Sequence, residues 1–226
     1  MCPMNQSSTS SAIPKLYLLT NDDEFELLYQ KLDAALSTGL IVLLQIRRKQ
    51  TLSLPDGHIT LYEEAKQIVK LAKAHDVPVV MNDDIAIAAK LGIGVHLGQG
   101  DGKIGDALQS LESTQIIGRT CHGNIELVKE AKDNGASYAA MGAIFTSTTK
   151  PNADIISRQK LIEGCQQDIP ICVIGGLTAE NISELAGIPI ALVAVVGDIM
   201  DLPVEKIAER CYQWQQALSK WKTPAV

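Results

Sequence analysis

The segment VVMNDDIAIAAKLGIGVHLGQGD (Val79–Asp101) contains two short apolar runs separated by an Ala-rich stretch. Each run is short enough for one buried strand, and the stretch between them predicts a helix. Both runs end abruptly in acid and amide side chains, which are Asn82, Asp83 and Asp84 after the first and Gln99 and Asp101 after the second. These side chains could cap helices, or they could converge on a positively charged group.

Short β-branched runs of this kind recur along the whole chain. They are KLYLLT, IVLLQIR, VPVVMN, IGVHL, QIIGRT, ASYAAM, IPICVIG and IALVAVV. Amphipathic or Ala-rich stretches with helical spacing lie between them, among them residues 24–37, 62–75, 124–134 and 204–220. Apolar strands that alternate with helices predict a parallel sheet covered by helices. Eight strands in about 200 residues favour an α/β fold, a single-domain (β/α)8 TIM barrel.

The composition limits the compartment and the partners of the protein. A net charge of −6 gives no general attraction to nucleic acid or anionic lipid, and no apolar run approaches the ~18 residues of a membrane helix. Five cysteines, an odd number without CxxC spacing, favour a reducing cytoplasm over a disulfide framework. The Ser-rich residues 1–13 lack a signal-peptide pattern and predict a disordered leader, followed by a barrel of residues 14–226.

Active sites of such barrels lie at the carboxyl ends of the strands, where the motif QIRRK follows the second run. If the strand continues, alternation places Gln45, Arg47 and Lys49 on one face and Ile46 and Arg48 on the other. The first face would bring two cations to the barrel mouth, where arginine and lysine bind phosphate. Arg48 would meet a helix carboxylate. The alternative is that these charges are merely solvated.

The acids of the opening segment have two interpretations. Singly, Asp83 and Asp84 could cap the following helix, and Asp101 could cap the next one or lie in a turn. Together, acids at the ends of neighbouring strands could bind one Mg²⁺, which takes one or two carboxylates and completes its shell with water and substrate phosphate. Acids beside a cationic strand fit a metal-bridged diphosphate.

Three later segments add phosphate chemistry. GAIFTSTTKP (142–151) places hydroxyl side chains before Lys150, although Ser/Thr runs are also common in flexible loops. VIGGLT and VAVVGDI follow the seventh and eighth runs, where barrels often bind phosphate through backbone N–H groups. A tight turn is the alternative for the paired glycines. Cys121 and His122 are adjacent and diverge in an extended chain, so they cannot readily form a catalytic pair, and His96 is predicted to be a core histidine.

Together these motifs resemble the thiamine phosphate synthase family, from about residue 15 to residue 218. QIRRK is similar to the family's Q-x-R-x-K, MNDD to its N-D pair, and GVHLGQGD to its GVHLGQ-x-D. GAIFTSTTK is similar to its G-x-I-(F/Y)-x-T-x-T-K, and VIGGLT and VAVVGDI to its closing phosphate segments.

The resemblance implies a (β/α)8 transferase of thiamine biosynthesis. Such an enzyme condenses 4-amino-2-methyl-5-(diphosphooxymethyl)pyrimidine with a thiazole phosphate to give thiamine monophosphate and pyrophosphate. The substitution is dissociative and Mg²⁺-assisted, so it needs no strong nucleophile or general base from the protein. Partners would be small phosphorylated molecules rather than nucleic acid or membrane, with a homo-oligomer left open.

The resemblance also assigns roles to individual residues. The pyrimidine diphosphate would be bound by Gln45, Arg47, Lys49, Asn82, Thr120 and Lys150, among which the catalytic residues would be Arg47, Lys49, Thr120 and Lys150. Mg²⁺ would be bound by Asp83 and Asp101. The thiazole phosphate would be bound by Ser147, Thr148, Thr149, Gly176, Val196 and Gly197. The chain departs from the family's usual residues at Thr120 (serine), Ser147 (threonine) and Gly197 (serine).

Two other functions are compatible with the pattern. One is a thiazole tautomerase of the same fold, although those relatives tend to lose part of the diphosphate and metal set that is complete here. The other is a non-catalytic regulatory protein that binds thiamine precursors, which the three departures leave open. Mg²⁺-dependent pyrophosphate binding that requires Asp83 would distinguish them.

Overall fold

The computed structural model describes residues 13–146 and 154–221. Within them, eight parallel strands close into a barrel in which each strand pairs with the next and the eighth with the first. The strands are β1 (Lys15–Leu19), β2 (Ile41–Ile46), β3 (Val79–Asn82), β4 (Gly94–Leu97), β5 (Ile117–Thr120), β6 (Tyr138–Met141), β7 (Ile171–Ile174) and β8 (Leu192–Val195). The predicted (β/α)8 barrel is confirmed, and each of the eight apolar runs supplies one strand.

Helices follow most strands and cover the barrel. They are α1 (Phe25–Leu36), α2 (Lys49–Leu52), α3 (Gly57–Ala74), α4 (Ile85–Leu91), α5 (Ile104–Ser110), α6 (Ile125–Asp133), α7 (Arg158–Cys165), α8 (Gly197–Met200) and α9 (Val204–Ser219), with a 3₁₀ turn at Ile182–Leu185. The helix expected from residue 62 begins earlier, at Gly57. A Cβ on this glycine would lie 2.4 Å from the carbonyl oxygen of Leu52, so the close approach of α2 and α3 requires glycine there.

Buried side chains form two separate clusters because successive strand residues point to opposite sides of the sheet. Outward side chains such as Leu18, Leu44 and Met81 pack against the helices together with Trp214 and other helix residues. The interior cluster contains Tyr17, Leu19, Leu43, Val80, Tyr138, Ala140, Cys172 and Ala194. Nearer the carboxyl ends of the strands, the interior contains buried polar side chains such as Gln45 and His96. This polar end is the mouth of the barrel.

Two expectations from composition concern the regions around the barrel. No helix in residues 13–146 and 154–221 is long and apolar enough to cross a bilayer. The division into a leader of residues 1–13 and a barrel of residues 14–226 stays a prediction, because residues 1–12 and 222–226 lie outside the described part of the chain.

Candidate active site

Strand β2 ends within the QIRRK motif, earlier than the alternation predicts. β2 ends at Ile46, and Lys49 is the first residue of α2. The Thr20 hydroxyl ends the strand by bonding the backbone of Arg47 at both its N–H and its carbonyl, at 2.8 and 3.1 Å. The Asp22 carboxylate then accepts the N–H of Gln50 at 3.0 Å in the first turn of α2. The prediction that Lys49 extends from a strand face is therefore wrong, and it reaches the mouth from a helix.

Arg48 has the structural role that its outward position predicts. Its guanidinium donates two hydrogen bonds to the Glu64 carboxylate on α3, at 2.9 and 3.2 Å. It also donates to the backbone carbonyls of Asn21 and Asp23, at 3.0 and 2.6 Å. Both Arg48 and Glu64 are buried, so this ion pair fixes the loops after β1 and β2 to α3.

The acids of the opening segment converge at the mouth. The N–H of Gly98 donates to Asp83 Oδ1 at 3.0 Å, so the two strand exits are joined directly. A Cβ on Gly98 would lie 2.2 Å from Asp101 Oδ2 and 3.5 Å from Asp83 Oδ1. Oxygens of both carboxylates therefore lie within 3.5 Å of one point. A side chain at position 98 would therefore displace the Asp101 carboxylate from this point.

Two polar neighbours orient the Asp83 carboxylate. Asn82 Nδ2 donates to Asp83 Oδ2 at 2.6 Å, and Lys49 Nζ lies 3.6 Å from the same oxygen. Asp83 adopts φ 65°, a left-handed conformation that Asp and Asn tolerate better than most residues. Asn82, Lys49 and Asp83 thus form one group, although they follow two different strands.

A cavity of about 650 Å³ opens beside this group. Its lining includes Lys49, Asn82, Asp83 and Asp101 together with the apolar residues Leu52 of α2 and Leu61 of α3. Ile46 and Met81, which face the helices, also line the cavity, so it extends from the carboxylates outward between the sheet and α3 and not into the barrel interior. In the described ranges, no group of three or more His, Cys, Asp or Glu side chains is placed to bind a metal. Asp83 and Asp101 supply two carboxylates, the number that Mg²⁺ uses when water and substrate phosphate complete its shell.

Asp84 caps a helix and does not belong to the carboxylate pair. Its Oδ1 accepts the N–H of Ile87 at 2.8 Å in the first turn of α4, which confirms the capping interpretation for this residue. We expect Asp84→Ala to lower the free energy of unfolding by about 1 kcal/mol through loss of this cap. Chemical denaturation followed by circular dichroism measures the change. A variant as stable as the wild type would contradict the capping role.

Gln45 and Thr120 lie on inward positions of β2 and β5 and are tied into the barrel interior. Gln45 is buried and its Nε2 donates to the hydroxyl of Tyr17 at 2.5 Å. Thr120 Oγ1 lies 2.9 Å from His96 Nε2 and is half-buried at the mouth. His96 also bonds the Tyr138 hydroxyl through Nδ1 at 2.8 Å, so the predicted core histidine is confirmed. Burial lowers the pKa of His96 to about 4, which leaves the imidazole neutral at pH 7.

Gly175 and Gly176, which follow β7, lie against residues 143–146. Gly176 has φ 65°, and a Cβ there would lie 2.4 Å from the carbonyl oxygen of Thr146. The N–H of Phe145 donates to the carbonyl of Gly175 at 3.0 Å. The predicted sites at Ser147, Thr148, Thr149 and Lys150 lie outside the described residues. Thr146, the last residue described before them, lies beside Gly176.

The exit of β8 leads directly into a short helix. Val196 precedes α8, and Gly197 is its first residue. The first N–H groups of a helix have no acceptor within the helix and remain available to an anion. A Cβ on Gly197 would lie 2.6 Å from an Asp201 carboxylate oxygen, so a serine at this position would require Asp201 to move.

Cys121, which directly follows Thr120 at the end of β5, is excluded as a nucleophile. Cys121 is buried, and its Sγ contacts the carbonyl oxygen of Leu127 at 3.3 Å. Burial raises the pKa of the Cys121 thiol to about 12. Because the thiolate is the reactive form, this side chain is inert at neutral pH.

Sequence reasoning missed the two interior tyrosines. Tyr17 and Tyr138 come from β1 and β6, and their hydroxyls lie 2.9 Å apart inside the barrel. The available signal was a phenol at an inward position of an otherwise apolar strand, since a buried hydroxyl needs a polar partner. Which partner it would find could not be read from the sequence.

Comparisons with known proteins identify the family of the chain. Residues 16–199 match the sequence model of the family described as thiamine monophosphate synthase. The chain belongs to this family. It is also 42% identical over 137 residues to the thiamine-phosphate synthase of Marinobacter nauticus (strain ATCC 700491 / DSM 11845 / VT8). That match covers 60% of this chain and 62% of the relative, so it spans less than two thirds of the relative's length.

Solved structures support the fold of this family member. The thiamine phosphate pyrophosphorylase of Pyrococcus furiosus superimposes with a TM-score of 0.75 at 24% identity, covering 93% of this chain and 98% of that one. KGPDC from Streptococcus mutans superimposes with a TM-score of 0.70 at 11% identity, covering 93% of this chain and 99% of that one. Barrels with different names are thus similarly close, and at these identities the likeness establishes the fold alone.

Proposed function

We propose that this protein condenses 4-amino-2-methyl-5-(diphosphooxymethyl)pyrimidine with a thiazole phosphate, forming thiamine monophosphate and pyrophosphate. The observation that supports this most is the convergence of the Asp83 and Asp101 carboxylates on one point, with Lys49 against Asp83. Acid and cation side by side suit a diphosphate that is bound through a divalent metal. Membership in the thiamine monophosphate synthase family supports the same reaction.

The residues of the mouth would contribute charge and position. Asp83 and Asp101 would bind Mg²⁺, which when bound neutralises charge that develops on the departing pyrophosphate. Arg47, Lys49 and Lys150 would bind the diphosphate oxygens, and Asn82 would orient both Asp83 and the substrate. Gln45 and Thr120 would contact the pyrimidine. Loss of pyrophosphate before bond formation needs no base from the protein, which fits the inert Cys121 and the neutral His96.

The thiazole phosphate would bind on the other side of the mouth. Backbone N–H groups of Gly176, Val196 and Gly197 would contact its phosphate, and Ser147, Thr148 and Thr149 would line the ring. The helix start at Gly197 and the packing of Gly176 against Thr146, which directly precedes Ser147 in the sequence, support this placement. Once the bond between the pyrimidine methylene carbon and pyrophosphate has broken, the thiazole nitrogen would attack that carbon.

Pyrophosphate release by the purified protein tests the proposal. We expect release only when both precursors and Mg²⁺ are present, with thiamine monophosphate formed in equal amount. Removing Mg²⁺ with EDTA should stop release, and adding it back should restore it. The measurement is a coupled pyrophosphate assay with chromatographic detection of the product. Binding of a precursor without release would contradict the synthase reaction and would favour the tautomerase or the regulatory protein.

A further inference from the structure

Five side chains form one continuous chain of hydrogen bonds through the barrel interior. Gln45 Nε2 bonds the Tyr17 hydroxyl at 2.5 Å, which lies 2.9 Å from the Tyr138 hydroxyl. The Tyr138 hydroxyl lies 2.8 Å from His96 Nδ1, and His96 Nε2 lies 2.9 Å from Thr120 Oγ1. This hydrogen-bond chain connects Gln45 and Thr120, two residues of the proposed pyrimidine site. The three residues between them have no proposed contact with a substrate.

The barrel makes room for this chain at one position. Asn82, His96, Gly118 and Tyr138 are register neighbours across four strands. A Cβ on Gly118 would lie 2.3 Å from the Tyr138 hydroxyl and 2.6 Å from His96 Nδ1. Any side chain at position 118 would therefore separate these two groups. Glycine at this position is what allows the Tyr138–His96 hydrogen bond.

The direction of the chain follows from its first donor. The Tyr17 oxygen accepts from the Gln45 amide nitrogen, and the Tyr138 oxygen is the one acceptor that the described contacts offer to the Tyr17 hydrogen. Because a buried hydroxyl without an acceptor is costly, we assign the Tyr17 hydrogen to Tyr138. Tyr138 then donates to His96 Nδ1. Burial raises the pKa of both phenols far above neutral, so each phenol keeps its hydrogen.

The last link follows in the same way. Because the Tyr138 hydroxyl donates to Nδ1, that nitrogen bears no hydrogen, and the hydrogen of the imidazole ring is on Nε2. Nε2 then donates to Thr120 Oγ1. The hydroxyl hydrogen of Thr120 is left to point toward another acceptor at the half-buried mouth.

We propose that Tyr17, Tyr138 and His96 are positioning residues that transmit the orientation of the Gln45 amide to Thr120. They hold His96 as the Nε2–H tautomer and turn the Thr120 hydroxyl into a donor toward an acceptor atom of the bound pyrimidine. The part that concerns the ligand rests on the proposed function, whereas the tautomer does not. A hydroxyl oriented before binding loses less freedom when the ligand arrives, so the interaction is stronger than that of a freely rotating group.

The tautomer is tested without any substrate. Nitrogen NMR of histidine-labelled protein at pH 7 distinguishes a protonated from an unprotonated ring nitrogen. The His96→Gln variant assigns the signals by their loss, since the chain has four histidines. We expect Nδ1 to be unprotonated and Nε2 to bear the hydrogen. If His96 bears its hydrogen on Nδ1, the donor and acceptor roles along the hydrogen bonds are reversed, and the proposal is overturned.

The coupling is tested by a double-mutant cycle of Tyr138→Phe and Thr120→Val. Tyr138→Phe removes one hydroxyl at nearly constant volume, and we expect it to lower kcat/KM roughly fivefold to tenfold. In the Thr120→Val background the same change should have little further effect, because Tyr138 acts through the hydroxyl that is already gone. Independent, multiplicative losses would overturn the proposal, since a merely structural role of Tyr138 would weaken both backgrounds alike.

Controls separate this inference from the proposed reaction. Tyr212 is an exposed tyrosine on α9, and Tyr212→Phe should leave kcat/KM unchanged. Thermal unfolding of each variant checks that the barrel is intact. If the protein releases no pyrophosphate, the proposed function fails. The double-mutant cycle is then built from the Kd values of the four proteins for the pyrimidine diphosphate, measured by calorimetry. The tautomer result stands or falls on its own in either case.

Discussion

Replacing Asp83 by Asn is expected to lower kcat/KM for pyrophosphate release by a factor on the order of 10²–10³, the loss typical of one preorganised electrostatic group. The substitution removes the charge that would face Mg²⁺ and leaves an oxygen to accept the N–H of Gly98. Asn also tolerates the left-handed backbone at φ 65°, so the loop should keep its conformation. The other carboxylate oxygen becomes an NH₂ group that faces Asn82 Nδ2, so the Asn82 amide has to turn over to pair with it. The loss should therefore be mainly in activity, with only a small loss of stability.

Steady-state kinetics across a range of Mg²⁺ concentrations measure this effect. Asp83→Asn should require more Mg²⁺ for half-maximal rate, as expected when one of two carboxylate ligands is lost. Asp84→Ala is the matched control, because it removes the adjacent carboxylate that caps α4 and should lower stability while leaving kcat/KM near the wild-type value. Normal activity of Asp83→Asn at limiting Mg²⁺ would refute the metal assignment.

Arg48→Met is expected to lower the free energy of unfolding by about 3–5 kcal/mol, the range for removing one partner of a buried ion pair. Glu64 would be left buried beneath the loop, and the carbonyls of Asn21 and Asp23 would lose their donor. Methionine fills most of the space of the arginine stem, so the loss reflects the missing charge and hydrogen bonds more than a cavity. Urea denaturation followed by tryptophan fluorescence measures it.

Two variants show whether burial is the cause. Lys66→Met breaks an exposed pair with Glu63, 3.8 Å apart, and should change stability by no more than about 0.5 kcal/mol. Adding Glu64→Leu to Arg48→Met should restore a large part of the loss, because the uncompensated charge disappears. Equal effects of Arg48→Met and Lys66→Met would contradict a structural role for the Arg48–Glu64 pair.

The outcome for the QIRRK motif explains why sequence reasoning succeeds only in part. Alternation correctly separates outward Arg48 from inward Gln45, since both facts follow from the period of two along a strand. It fails at Lys49 because the strand ends where Thr20 and Asp22, from the preceding strand's exit, bond the backbone of residues 47 and 50. Those groups are more than twenty residues away in the chain, and nothing local signals their contact.

The sequence by itself determined the barrel, the end of it at which the candidate site lies, and several of the polar groups that meet there. Eight apolar runs alternating with helical stretches can bury their surfaces as a closed parallel sheet, and the carboxyl ends of parallel strands gather at one rim. These properties depend on local periodicity and chain direction, which are legible without coordinates.

Only the tertiary structure decided which of these groups touch. It places Asp83 and Asp101 around the bare backbone of Gly98, assigns Asp84 to a helix cap, and joins Gln45 to Thr120 through phenols that are 121 residues apart. Such contacts depend on strand register and on the space left by glycines at positions 98 and 118. The physical reason is that hydrogen bonds and ion pairs require their atoms to lie within about 3–4 Å of each other. Only closure of the whole barrel brings groups from distant strands within that distance.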